Sequence, residues 1–233
     1  MTTNQYSLPL DGMEVTMSKN EKKPNKEKRT FLYAATKPLV WWLVYPFFGL
    51  RVIKGKNNLP KTGGCIAAGN HIHFADPVII AFSQRRQIRW MAKAELFDNG
   101  VTRVLCKGYD AFPVLRGSAD GEALNTSLRT LEDGRVLGIF PEGTRSRDGK
   151  IGRGKSGTVM LAFKSKLPIY PFAIYSKRKP LSLFCGYTVA FGEPVTAEQL
   201  GVIEGTSREI REGTRRLMEI ITGLHEECRA ARA

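Results

Sequence analysis

Metal-ligating residues are scarce: the 233-residue chain holds three histidines and four cysteines. Cys65, Cys106, Cys185 and Cys228 lie far apart, with no CxxC or mixed His/Cys spacing, so no zinc site is expected and the chain reads as reduced and cytosolic. Cys65 and Cys185 sit in apolar runs and are expected to be small core residues. Long hydrophobic runs are missing too. From Pro38 to Leu50 there is no charge, but these thirteen residues make only about 20 Å of helix against roughly 30 Å of hydrocarbon. Pro46 and Gly49 shorten the usable helix further, which argues against a spanning helix. The N-terminus shows no basic, apolar and cleavage-site order, so no signal peptide is expected. Acidic residues are also few, 22 against 36 Lys and Arg, a formal charge of +14. Such an excess calls for a negative partner: nucleic acid, anionic lipid headgroups or a phosphorylated substrate.

What is present is enough for one well-buried domain, with an apolar fraction of 42% that is ordinary for a soluble fold. Residues 1–30, with Lys19, Lys22, Lys23, Lys26, Lys28 and Arg29, read as a disordered basic arm. Residues 31–50 carry Trp41, Trp42, Tyr45, Phe47 and Phe48 between Lys37 and Arg51. This suits a helix lying in the headgroup layer of a membrane, the alternative being a helix packed on the domain's own core. From residue 51 to 233 strand and helix signals alternate, as in an α/β domain. Strands are expected at 52–53, 65–69, 88–91, 111–115, 136–140, 168–175 and 187–191. Helices are expected at 77–84, between Asp120 and Gly134, at 157–166, and after a Thr206-x-x-Glu209 capping box. His225 on that last helix has no acidic or nucleophilic company and reads as structural.

The chemistry is concentrated in Gly69 to Pro77. A small apolar strand leads into it, and Asp76-Pro77 is a helix start. His71 would leave the strand tip, and a five-residue loop lets the Asp76 carboxylate fold back onto one imidazole nitrogen. That fixes the tautomer and frees the other nitrogen to take a proton from a hydroxyl. Alone, the spacing is equally that of a plain N-cap and a core histidine. A second pattern, Gly149 to Ser156, matches the phosphate-cradling GxxxxGK[ST]. Its mechanics need an apolar strand running directly into the loop, but Arg145-Ser146-Arg147-Asp148 precede it. Nucleotide binding is therefore the distant alternative, with Lys155 left as a point charge near a helix start. Basic bursts at Arg85-Arg86 and Lys177-Arg178-Lys179 come with no nucleic-acid-binding motif.

Four segments in order make a larger pattern: Asn70-His71-x-His73-x-x-Asp76-Pro77, Phe112-Pro113-Val114-Leu115-Arg116, Phe140-Pro141-Glu142-Gly143-Thr144-Arg145-Ser146 and Leu167-Pro168-Ile169-Tyr170-Pro171-Phe172. Over about residues 50 to 195 this closely resembles the 1-acyl-sn-glycerol-3-phosphate acyltransferase family. The resemblance implies an α/β fold with a mixed central sheet flanked by helices, plus an N-terminal membrane-associating helical element. It implies transfer of a fatty acyl group from acyl-CoA or acyl carrier protein to the sn-2 hydroxyl of lysophosphatidic acid, giving phosphatidic acid for phospholipid biosynthesis. Glycerol 3-phosphate or another lysolipid, such as a lyso-ornithine lipid, is the alternative acceptor. By residue matching, His71 and Asp76 would be catalytic, and Lys93, Arg116 and Arg145 would hold the acceptor phosphate. Glu142 would position Arg145 or the free hydroxyl, or cap the turn, and the Gly143 and Thr144 N–H groups would hold the phosphate or an oxyanion. No cofactor or metal is implied beyond the thioester donor; the partners would be membrane lipids and the acyl carrier, and the place the cytoplasmic face of a membrane. Two departures stand out. The family often has Ser where this chain has His73, which leaves the pairing of Asp76 open between two imidazoles, although His71 holds the family position after Asn70. Leu115 replaces a frequently polar residue before Arg116, which bears on headgroup selection.

Overall fold

Val136–Ile139 and Cys65–Gly69 carry no polar side chain, and every residue of both runs is buried. A computed structural model of the protein describes residues 30–114, 121–146, 149–177 and 186–232, with the backbone alone at 39–41 and 43–48. The basic arm (Thr30 apart), Arg116 and Cys185 lie outside the described residues. Within them, seven strands form one sheet: β1 (Arg51–Lys54), β2 (Cys65–Gly69), β3 (Ile88–Lys93), β4 (Phe112–Val114), β5 (Val136–Ile139), β6 (Ile169–Ser176) and β7 (Tyr187–Phe191). Their order is β1-β7-β6-β2-β5-β3-β4. Neighbours run parallel except β6 and β7, so the sheet is mixed as expected.

The helices are α1 (Phe31–Phe48), α2 (Asp76–Ser83), α3 (Gly100–Gly108), α4 (Gly121–Glu132), α5 (Gly157–Ser165) and α6 (Ser207–Ala230), with a 3₁₀ turn at Ala94–Phe97. Alternate residues of β2 point to opposite faces. Cys65 and Ala67 share a core with Ile79 and Ile80 of α2. Ile66 and Ala68 pack with Leu131 of α4, Val159 of α5 and Leu217 of α6. The chain leaves β2 through α2 toward β3, and leaves β5 through α5 toward β6, in opposite directions across the sheet. Such a reversal is a topological switch point, and the region beyond the carboxyl ends of the two strands is where an α/β sheet places its binding site.

Two elements depart from the periodic reading. The start of α1 packs on the domain: Tyr33 is buried and stacks on Phe82 at 6.3 Å, and Lys37 Nζ donates to the Gln84 and Arg85 carbonyls at 2.8 and 3.2 Å. Phe31 and Trp42, by contrast, are exposed. Among the described residues no helix is long and apolar enough to cross a membrane. α3 is unanticipated, because it buries no residue of its own. Its signal is local: the Asn99 side-chain oxygen accepts from the Val101 and Thr102 N–H groups at 3.0 and 3.5 Å, as an N-cap should.

Candidate active site

Asn70 directly follows β2 and is buried. Its amide acts as a strand backbone would, donating to the Ile174 carbonyl at 2.9 Å and accepting from the Ile174 N–H at 2.8 Å. The next residues then leave the sheet from a fixed point. Asp76 is the first residue of α2; Ala75 occupies the N-cap position and makes no side-chain cap bond. The Asp76 carboxylate instead turns back. Its Oδ2 accepts from the His71 ring Nδ1, the Ile72 N–H and the His73 N–H, each at 2.7 Å. The side chain is fully buried, and Oδ1 has no hydrogen-bond partner among the described residues. Two backbone donors thus orient the carboxylate, and the carboxylate places the neutral ring's proton on Nδ1, leaving Nε2 as the acceptor.

The ring that meets Asp76 belongs to His71; His73 supplies a backbone N–H. The His73 ring accepts from the Ala75 N–H at 3.3 Å and lies 4.3 Å from the Phe74 ring. Burial pushes its pKa below the usual 6.5, and Arg145 and His71 push the same way while Asp76 opposes them. The net direction favours the neutral ring.

His71 lies flat on Phe140, with ring centroids 4.0 Å apart and planes 13° apart; Phe140 lies on Trp90 at 4.9 Å and 10°. Gly138 makes the stack possible, because a Cβ there would occupy the Trp90 ring. Phe140 opens the loop after β5, which grips His71 by its main chain. The His71 N–H donates to Glu142 Oε1 at 3.0 Å, and its carbonyl accepts from the Ser146 N–H at 2.8 Å. Glu142 Oε2 accepts from the Gly152 N–H at 2.8 Å. Both Glu142 oxygens are therefore engaged by backbone donors, and the buried carboxylate braces one loop against the other. Asn70 and Phe140 stood in the quoted motifs, but their roles needed partners distant in sequence to be seen.

Positive charge gathers beside this unit. Arg145 is exposed and has no ion pair among the described residues, yet it lies close enough to His73 to disfavour a second positive charge there. Lys93 ends β3 at the same edge, and its Nζ meets Glu95 Oε1 at 2.8 Å near the surface. Arg116 is outside the described residues. Gly143 turns with φ +69°, and its N–H is taken by the Phe140 carbonyl at 3.0 Å. The Thr144 N–H has no such partner among the described residues, so of that pair it is the donor left over. Lys155 Nζ lies 3.0 Å from where a Gly143 Cβ would be, and the Lys155 N–H donates to the Pro141 carbonyl at 2.7 Å. The Gly149 to Ser156 segment is irregular and separated from β5 by the whole Phe140 to Ser146 loop, so the strand-to-loop geometry of a nucleotide cradle is not formed. Among the described residues no group of three or more His, Cys, Asp or Glu could hold a metal ion.

A family model described as an acyltransferase matches residues 51–175. The chain belongs to this acyltransferase family. All the candidate site residues, from His71 to Arg145, fall inside the matched span. A Bacillus subtilis protein named 1-acyl-sn-glycerol-3-phosphate acyltransferase is 34% identical over 134 residues, 57% of this chain and 66% of that one. A Borreliella burgdorferi protein of the same name is 32% identical over 129 residues, 54% of this chain and 51% of that one. The chain thus spans between about half and two thirds of the length of these curated relatives. The crystal structure of the Thermotoga maritima 1-acyl-sn-glycerophosphate (LPA) acyltransferase, PlsC, shares the fold: TM-score 0.59 at 22% identity, over 83% of this chain and 82% of that one.

Proposed function

We propose that the protein is a 1-acylglycerol-3-phosphate O-acyltransferase, moving a fatty acyl group from an acyl-CoA or acyl carrier protein thioester to the sn-2 hydroxyl of lysophosphatidic acid. The observation that carries this reading is the 2.7 Å pairing of His71 Nδ1 with buried Asp76, beside the loop that carries Arg145, which has no ion pair among the described residues. The relatives' names supply the acceptor.

An alcohol is a weak nucleophile at neutral pH. His71 Nε2 draws off its proton as the oxygen attacks the thioester carbonyl, and Asp76 stabilises the imidazolium that forms. Such assistance supplies about 10² to 10⁴ in rate. Collapse of the tetrahedral intermediate expels the thiolate, which recovers the proton from His71. The Asn70 to Pro77 motif offers no serine or cysteine in triad order, so the attack is taken as direct, with no acyl-enzyme. Arg145, with Lys93 and Arg116, holds the acceptor phosphate, and the Thr144 N–H is placed for the phosphate or the oxyanion. Glu142 acts from behind, through the peptide of His71. The aromatic stretch at 31–50 and the net charge of +14 keep the enzyme at the cytoplasmic face of a membrane, peripheral or monotopic, where both lipids reside.

The test offers the purified protein a panel of lysolipids and glycerol 3-phosphate with labelled acyl-CoA or acyl carrier protein, and identifies the product. Phosphatidic acid is expected. Incorporation only into a headgroup without phosphate overturns the acceptor assignment, and turnover surviving in His71→Ala but lost in a folded His73→Ala overturns the choice of base.

A further inference from the structure

We infer that α3 and the 3₁₀ turn before it form a lipid-contacting face that seats the catalytic edge of the sheet on an anionic bilayer. Among the described residues few large apolar side chains are strongly exposed, and four of them fall between residues 96 and 105. Leu96 is 41% exposed, Val101 72%, Val104 63% and Leu105 51%. Positions 101, 104 and 105 share one face of a helix. A surface helix normally turns such a face to the core, yet α3 contributes no residue to any core.

The location gives the stripe a purpose. α3 follows the carboxyl end of β3, which runs parallel to β5, which runs parallel to β2. The stripe therefore begins at the edge from which the His71 and Glu142 loops emerge. Phe74, within the His71 to Asp76 loop, is also exposed at that edge. The far end of α3 joins the start of α1: Thr30 Oγ1 donates to the Gly108 carbonyl, and Leu32 fills the space a Gly108 Cβ would need. Exposed Phe31 continues the apolar surface there.

Charge selects the occupant. Arg103 and Lys107 are exposed on α3, which has no acidic residue; Asp98 precedes its cap, and Glu95 is paired with Lys93. Aliphatic side chains interleaved with cations, on a chain of net charge +14, fit the headgroup and upper acyl layer of an anionic leaflet. The choice of lipid rests on the acyl-transfer reading above. The measurement is vesicle binding without turnover, so failure of one reading is distinguishable from failure of the other.

The full chain is sedimented with vesicles of phosphatidylglycerol and phosphatidylcholine, and with phosphatidylcholine alone. The Val101→Gln/Val104→Gln/Leu105→Gln variant is expected to bind the anionic vesicles at least about tenfold more weakly. Its circular dichroism, and its thioester consumption with a short-chain soluble acceptor, should match the unmodified chain. In the unmodified chain, amide hydrogen exchange across residues 96–108 should slow when anionic vesicles are added, which decides the matter even where the variant fails to fold. Undiminished binding by a folded variant overturns the inference, as does unchanged exchange in the native protein. So does a lipid-free dimer that the variant loses, since the face would then belong to a second copy of the chain.

Discussion

Replacing Asp76 separates the electrostatic part of the site from its architecture. Asp76 Oδ2 accepts three hydrogen bonds of 2.7 Å inside a fully buried pocket, two of them from the backbone of the loop that carries His71. Asp76→Asn keeps the shape. With the amide oxygen at the Oδ2 position all three donors keep an acceptor, but the –NH₂ then lies where Oδ1 already lacks a partner. That unsatisfied group costs about 1–3 kcal/mol of stability. More important, a neutral amide does not stabilise an imidazolium, so kcat should fall by about 10² to 10⁴. The acceptor KM should stay within about threefold, since enclosed Asp76 has no surface to offer substrate. Asp76→Ala should instead leave the Ile72 and His73 donors without an acceptor and cost about 2–5 kcal/mol. Thiol release followed with a thiol reagent gives kcat and KM, and urea unfolding gives stability. A folded Asp76→Asn enzyme retaining kcat within about threefold of the native value would refute the reasoning, because the charge would then be idle.

Asn70→Ala removes both partners of the Ile174 peptide in a buried setting and should lower the unfolding free energy by about 2–4 kcal/mol in urea. Glu142→Gln offers one acceptor and one donor where two backbone N–H groups now donate, so either His71 or Gly152 is left facing an –NH₂. A kcat reduced about tenfold with acceptor KM little changed is expected; KM rising at constant kcat would mean that Glu142 touches the acceptor. His225 packs edge-on against Tyr175 at 5.6 Å, and burial lowers its pKa below 6.5, with Glu226 opposing and Arg229 assisting. Below about pH 6.5 the unfolded chain takes up that proton before the folded one does, so stability should fall as pH drops, and His225→Gln should flatten the slope. A slope unchanged in that variant assigns the loss to other groups.

Much of this molecule is legible in the sequence, and the failures have physical causes. β2 and β5 are short apolar runs bounded by glycine or proline, and α6 announces itself with a capping box that the structure forms in both directions. These are local signals, and they fall where they were read. Asp76 was legible as a helix-start residue whose carboxylate could fold back onto an imidazole, but spacing left open whether that ring was His71 or His73, and it held no sign that the Ile72 and His73 N–H groups converge on the same oxygen. α3 escaped because periodicity finds helices by the face they bury, and α3 buries none. The clasp of Asn70 on Ile174 joins residues 104 apart, and the grip of Glu142 on His71 joins residues 71 apart. Spacing along the chain holds no record of either.

The two motif loops are one mechanical part. His71 is held by its ring through Asp76, by its flat face on Phe140, and by both polar groups of its peptide through Glu142 and Ser146. Three of those four attachments come from the loop after β5, the loop that also carries Arg145. In the reaction proposed above, a proton acceptor and an anion-binding guanidinium must each be held within a fraction of an ångström of the productive geometry to act on one substrate. Mounting both on loops that leave adjacent parallel strands, with one loop bonded to the backbone of the other, sets the two main chains in register independently of the substrate. The same logic explains why β2 and β5 must be neighbours. Were another strand inserted between them, the Glu142 carboxylate could not reach the His71 N–H, and base and cation would be positioned separately.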